Sequence, residues 1–191
     1  ELAAARARSR GDGLVRAGEA ILYARRQVRR FLDVGAGPGY LLDEMAAAFP
    51  DQAGLFHAVE LFPPEDRSRH PNYVVGDIAS LAGTFDAGVC IEVIEHLTPR
   101  MLAGLIEALA LVSTSDSLWL FNTGMPDYVR GQDPDYLDPR IRGHVVSYGL
   151  PALHKLFGSH GFRVSGLPGK YFAFVAEYRP SNEAIPFDQR F

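Results

Sequence analysis

The chain has 191 residues, 47% of them hydrophobic and 22% charged, a balance that suits one compact domain with a sizeable core and excludes an intrinsically disordered chain. No apolar stretch reaches the roughly 18 residues of a membrane-spanning helix, and the N-terminus lacks the apolar core of a secretory signal, so a soluble cytoplasmic protein is expected. The net charge of -4 and a single cysteine, Cys90, exclude an overall basic polyanion binder, an internal disulfide and zinc-finger spacing.

Charge is uneven along the chain. Residues 1–30 hold eight arginines (6, 8, 10, 16, 25, 26, 29 and 30) against Glu1, Asp12 and Glu19, a net of +5, which leaves -9 for the rest. The pattern predicts an N-terminal basic helical segment whose helix runs from about Leu14 to Val28, with Leu14, Val15, Ile21, Leu22 and Val28 packed down and the arginines in water. A phosphate-attracting arm is the alternative, but no aromatics are interleaved with the arginines. Glu1 stands where an initiator methionine would, which leaves open a trimmed chain or one excised from a larger protein.

Phe31 to Tyr40, FLDVGAGPGY, runs an apolar strand into an acidic turn with glycines at 35, 37 and 39. Without a Cβ these residues can take positive φ and admit a ligand against the backbone. The following LLDEMAAAF can start a helix with free N–H groups at its head. Tyr40 occupies the place of the third glycine in a dinucleotide fingerprint, which argues against hydride-transfer chemistry.

Phe56–Glu60 reads as a second buried strand, with Glu60 at the distance from the glycines where an acid accepts hydrogen bonds from ribose hydroxyls, and with Leu61 and Phe62 beside it for an adenine edge. Tyr73–Asp77 and Phe85–Ile91 are further strands, so Glu92 emerges at a C-terminal strand end beside the glycine turn. Leu102–Val112 and Leu150–Gly161 repeat apolar residues at helical spacing, Ser117–Thr123 is a fifth strand, and Phe162–Gly166 with Tyr171–Tyr178 closes the sheet. Alternation of this kind predicts an α/β Rossmann-like, doubly wound, mostly parallel sheet in a single domain over 1–191.

The motifs DVGAGPG, VE, GD and CIEVIEHL, in that order from about Arg30 to Glu177, resemble those of class I S-adenosylmethionine-dependent methyltransferases. The resemblance implies that family's fold, with an antiparallel last strand, and S-adenosylmethionine as cofactor. It places Asp33 near the methionine end of the cofactor and Asp77 with Ile78 near the adenine amine. Gly35, Ala36, Gly37, Gly39, Glu60, Leu61 and Glu92 complete the expected cofactor site.

If a helix began just after Ile91, Glu92, Glu95 and His96 would share one face. Two carboxylates and an imidazole there, joined by His144, could hold magnesium or manganese, or could equally be a hydrogen-bonded cluster shaping the pocket. EVIEHL is similar to the motif of ubiquinone-pathway-type O-methyltransferases and to that of enzymes that methylate the 2'-hydroxyl at RNA 3' ends, where such residues bind metal. The RNA enzymes carry an acidic-aromatic motif after their histidine, and GHVVSYGL has none.

Residues 122–145 form a long insert after the fifth strand, a candidate substrate loop or lid. Met125, Tyr128 and Tyr136 give it apolar surface, and Asp127, Asp133, Asp135 and Asp138 outnumber its arginines, which suits a neutral small-molecule or glycan acceptor over nucleic acid. His144, at the end of the lid, is the candidate general base. The reading is a methyltransferase acting on a small-molecule or glycan hydroxyl. Its rivals are a metal-assisted RNA 2'-O-methyltransferase and a non-catalytic cofactor-binding domain of a larger protein.

Overall fold

The computed structural model describes residues 2–180, with side chains from Gly11 onward, so residue 1, residues 181–191 and the arginine side chains at 6, 8 and 10 lie outside the described part. Seven strands form one sheet: β1 (Phe31–Val34), β2 (Phe56–Glu60), β3 (Tyr73–Val75), β4 (Phe85–Ile91), β5 (Ser113–Asn122), β6 (Phe162–Gly166) and β7 (Ala173–Tyr178). Their spatial order is β3-β2-β1-β4-β5-β7-β6, parallel throughout except for β7, which is antiparallel to both of its neighbours. This is the class I methyltransferase fold, with its topological switch between β1 and β4, where a doubly wound sheet opens a crevice for ligands. Among the described residues no helix is long and apolar enough to cross a membrane.

Helices cover both faces, so the central strands must be apolar on both sides. On one face α1 (Leu2–Ala24) and α2 (Tyr40–Ala48) bury Phe31, Val89, Leu118, Leu120 and Val175. On the other, α3 (Pro99–Leu111) and α5 (Leu150–Gly158) pack on Leu32, Trp119, Phe121 and Phe174. The alternation of residues 118–121 between two cores is the period-2 geometry of a strand. Gly88 of β4 is required by this packing, because a Cβ there would lie 2.3 Å from the Leu32 carbonyl oxygen and 2.4 Å from the Trp119 ring.

The first helix differs from the expected one. It spans Leu2–Ala24 rather than Leu14–Val28, and it ends where Arg25 turns left-handed at φ 49°. Its buried stripe is Gly13, which faces Leu41 of α2, with Ala17, Ala20 and Ala24, while Val15 and Leu22, expected to pack down, are exposed. Small residues let the helix axis approach the sheet closely, which larger side chains would prevent.

The basic residues after α1 are structural. Asp86, nearly buried in β4, accepts from Arg29 N at 2.8 Å, Arg30 N at 3.2 Å, Arg26 Nη2 at 3.1 Å and Thr114 Oγ1 at 3.3 Å. Arg30 donates to Ala82 O and lies over the Phe85 ring at 4.4 Å. The Arg26 and Arg30 side chains, and the Arg29 backbone, are committed to anchoring the link between α1 and β1 to the sheet.

Smaller differences fall at element ends. α3 starts at Pro99 because the Thr98 side chain caps it, accepting from Met101 N. β5 begins four residues before the expected Ser117, through Asp116 at φ 66°. β3 stops at Val75, α5 at Gly158, and β7 starts at Ala173.

Candidate functional site

The β1 and β2 side of the crevice is built from backbone. Gly35, Gly37 and Gly39 all have positive φ, at 69°, 53° and 83°. Each does a different job. A Cβ at Gly35 would meet Val93 Cγ2 at 2.5 Å, one at Gly39 would meet Ser68 and the Tyr73 ring at 2.7 to 2.8 Å, and one at Gly37 would meet nothing within 4 Å. Gly35 and Gly39 thus let the turn fold back on the protein, while Gly37 faces open space. Gly39 is also the residue before α2, whose first turn heads the crevice.

Glu60, at the end of β2, ties this turn to the next loop. Its Oε2 accepts from Gly37 N at 2.8 Å and its Oε1 from Phe62 N at 2.9 Å. Each oxygen retains a lone pair that can accept a ligand hydroxyl. The Tyr73 hydroxyl donates to Gly37 O, and Ala36 N donates to Val59 O at 3.2 Å. Leu61 and Phe62 are exposed beside it at 51% and 84%. Asp77 is exposed and accepts from Ala79 N at 2.8 Å, and Ile78 is buried behind it. Asp33, the third residue of β1, is nearly buried; desolvation, reinforced by the Glu60 charge, pushes its carboxyl up to about 7.

Across the end of β4 the crevice continues as a cavity of about 570 Å³ lined by Arg16, Glu92, Asn122, Tyr128, Tyr136 and Phe172 among others. Glu92 does not start a helix, as the one-face arrangement required. Its N donates to Asn122 O, extending the β4 to β5 ladder, and it then turns left-handed at φ 54°. Only a short 3₁₀ turn, Ile94–His96, follows. A non-glycine residue held in this conformation is strained, a condition common at ligand sites. Its Oε1 accepts from Asn122 Nδ2 at 2.7 Å, and burial followed by the neighbouring Glu95 charge raises its carboxyl to about 7.

The structure still brings Glu92, Glu95, His96 and His144 together, by a different route. Glu95 is fully buried in the 3₁₀ turn. Its Oε2 accepts from Thr123 Oγ1 at 3.0 Å, and its Oε1 has no hydrogen-bond partner among the described residues but lies 4.0 Å from His144 Nε2. The His96 and His144 rings stand edge to face, 4.9 Å between centroids. Ligand atoms of Glu95, His96 and His144 all fall within 4.8 Å of one another, and Glu92 lies outside that group on the cavity side.

Both imidazoles are oriented from behind. His96 Nδ1 meets Gly143 O at 3.0 Å and His144 Nδ1 meets Tyr136 O at 2.9 Å. A carbonyl can only accept, so Nδ1 carries the proton in each neutral ring and Nε2 presents a lone pair. That arrangement serves a general base and a metal ligand equally.

The expected lid is a folded wall. It contains α4 (Pro126–Gly131), and Tyr136, expected on its apolar surface, is buried with its hydroxyl accepting from Gly124 N at 2.7 Å. Three of its acids are engaged locally: Asp127 with Arg130, Asp133 with Arg142, and Asp138 with the amides of Arg140 and Ile141. No lid aspartate lines this cavity. Sequence reasoning missed Asp12, Arg16 and Phe172 as cavity residues, because only the topology carries α1 and the approach to β7 to the end of β4. His57, His70, His154 and His160 do not line this cavity.

The comparisons agree with this layout. The family described as "Methyltransferase domain" matches residues 4–165. No curated protein matches the sequence. Among solved structures, an S-adenosylmethionine-bound amino pentose methyltransferase from Micromonospora echinaspora shares 18% identity and a TM-score of 0.65, with 92% of this chain and 95% of that chain covered. Magnesium protoporphyrin IX methyltransferase from Synechocystis, with bound S-adenosylhomocysteine, shares 16% identity and a TM-score of 0.59, covering 88% of this chain and 82% of that one. An O-methyltransferase from neocarzinostatin biosynthesis, in complex with S-adenosylmethionine and 2-hydroxy-5-methyl naphthoic acid, shares 19% identity and a TM-score of 0.62 over 83% of this chain and 52% of that one. With a methyltransferase domain matched across most of its length and the corresponding sheet order and glycine turn in place, the chain belongs to the methyltransferase domain family.

Proposed function

We propose that the protein binds S-adenosylmethionine along the C-terminal ends of β1, β2 and β3 and transfers its methyl group to a hydroxyl of a small molecule seated over β4 and β5. The observation that carries this reading is the left-handed glycine turn, open above Gly37 and latched to Glu60, beside a cavity on the other side of Glu92. Asp33 would face the cofactor's ammonium group, Glu60 its ribose, and Leu61, Asp77 and Ile78 its adenine. Bound in this way, the cofactor supplies an electrophilic methyl on sulfur.

The protein's own contribution is alignment and proton removal. Positioning the acceptor oxygen against the methyl group supplies most of the acceleration. The hydroxyl proton passes to the cluster behind Glu92 and Tyr136, the lining residues next to it, where His144 Nε2 offers a lone pair and Tyr136 holds the ring from two sides, by its carbonyl and by ring contact at 4.4 Å. The solved neighbours named for small molecules or sugars accord with an acceptor of that kind.

A second reading, metal-assisted methyl transfer, is favoured by the Glu95 Oε1 atom, which is buried without a hydrogen-bond partner among the described residues. Glu95, His96 and His144, with Glu92 alongside, fit a divalent cation in donor type and spacing. Such an ion would lower the proton affinity of a bound hydroxyl. For RNA as acceptor the support is weaker, because Arg26 and Arg30 are already spent on Asp86 and on backbone carbonyls.

Calorimetry of the purified chain with S-adenosylmethionine and S-adenosylhomocysteine tests the cofactor site, and absence of binding refutes it. Incubating the chain with isotopically labelled cofactor and a metabolite extract then identifies the acceptor by its mass gain. If the cofactor binds but no compound gains a methyl group, the non-catalytic alternative stands. Loss of turnover after chelation, restored by magnesium or manganese, would select the metal-assisted reading.

A further inference from the structure

The α1 side of the cavity carries a cation, Arg16. Arg16 projects from α1 with its side chain 13% exposed, and its guanidinium lies 5.5 Å from the centroid of the Phe172 ring. Its Nη1 donates to Glu19, whose other carboxylate oxygen accepts from Lys170. One acid therefore serves two bases, and Arg16 is the one basic side chain among the described residues that line this cavity. Glu19 is the only hydrogen-bonding partner of Arg16 among the described residues, so most of the five guanidinium donors remain for whatever fills the cavity. The acids that share the lining are Asp12, exposed on α1, and Glu92, which is engaged by Asn122.

Location separates this charge from the cofactor. Thr123 N donates to Phe172 O, so Phe172 and Arg16 belong to the β5 and β7 side of the crevice. The glycine turn closes β1, on the far side of β4. Three aromatic rings border the same space: Tyr128 meets Tyr136 and Phe172 edge to face, at 6.0 and 6.1 Å. They give this part of the cavity aromatic surface, in a space sized for a small ligand.

We infer that Arg16 is a specificity-determining residue that receives a carboxylate carried by the acceptor, so that the substrates are small hydroxylated aromatic carboxylic acids. This rests on the cavity being the acceptor site proposed above. A guanidinium prefers a carboxylate to a neutral amide of the same shape through paired, charge-assisted hydrogen bonds.

The test compares hydroxybenzoates with the matching hydroxybenzamides by calorimetry on the full chain saturated with S-adenosylhomocysteine. The acids should bind about tenfold more tightly, the scale of a charge-assisted fork. Arg16→Gln should erase the preference, Arg16→Lys should keep part of it, and Glu19→Gln, which frees Arg16, should increase it. Equal binding of acid and amide by the wild-type chain, or no binding of either, overturns the inference. So does an Arg16→Gln chain of unchanged melting temperature that keeps the preference, or one that loses tenfold in affinity for S-adenosylmethionine. Failure of the cofactor site would appear separately, as no S-adenosylhomocysteine binding before any acid is added.

Discussion

The two sides of the crevice are made in different ways. Around β1 and β2 the site is mostly backbone: left-handed glycines and one carboxylate that grips two amides, all drawn from the contiguous stretch Asp33 to Phe62. Around β4 and β5 it is side chains, gathered from α1, the β4 end, the lid wall and the approach to β7. A backbone site accepts a constant ligand and tolerates little change, whereas a side-chain site can be respecified one residue at a time.

That contrast predicts separable effects. The largest falls on the side-chain half. His144→Ala should lower turnover by about 10²- to 10⁴-fold, the range for loss of a general base, while calorimetry finds S-adenosylmethionine affinity unchanged. Parallel losses in both would show that the two halves do not act independently.

Within the backbone half, Gly35→Ala and Gly37→Ala should differ. Both force a side chain into a left-handed conformation at a cost of roughly 1–2 kcal/mol. Gly35→Ala adds a clash with Val93, so its denaturation midpoint should fall further. Gly37→Ala should keep most of its stability and lose cofactor affinity instead, since its Cβ points into the open space above the turn.

Asp33 gives a pH signature. The folded chain holds this proton up to about pH 7, whereas an unfolded carboxyl releases it near 3.8. Its contribution to folding stability therefore declines as pH rises from about 4 to about 7 and is constant above that range. Asp33→Asn should raise the melting temperature by an amount that is negligible near pH 4 and largest above about pH 7, yet weaken cofactor binding. Wild-type affinity for the cationic cofactor should rise with pH across about 6 to 8, with proton release measurable in buffers of different ionisation enthalpy. The smallest effect belongs to the lid surface. Asp127→Asn breaks an ion pair whose partners are 72% and 68% exposed, and it should change stability by less than about 0.5 kcal/mol in chemical denaturation.

The same contrast explains what could be read in advance. Asp33, Gly35, Gly37, Gly39 and Glu60 announce themselves because a backbone site imposes residue types at short spacing, and buried strands such as Phe85–Ile91 announce themselves as apolar runs. Arg16 and Phe172 could not be found that way, since nothing local marks two distant residues as neighbours. Other misses were local. The stripe of Gly13, Ala17, Ala20 and Ala24 looks weakly apolar by pattern, although close approach to the sheet is what small residues provide. The expected helix after Ile91 overlooked that Thr98 and Pro99 already mark a helix start, leaving Glu92 to continue the β4 ladder.

The Glu19 link between Arg16 and Lys170 spans 151 positions of sequence. A contact between segments so far apart forms only once the sheet between them is assembled, whereas Gly37 and Glu60 lie 23 positions apart and meet within a local stretch of chain.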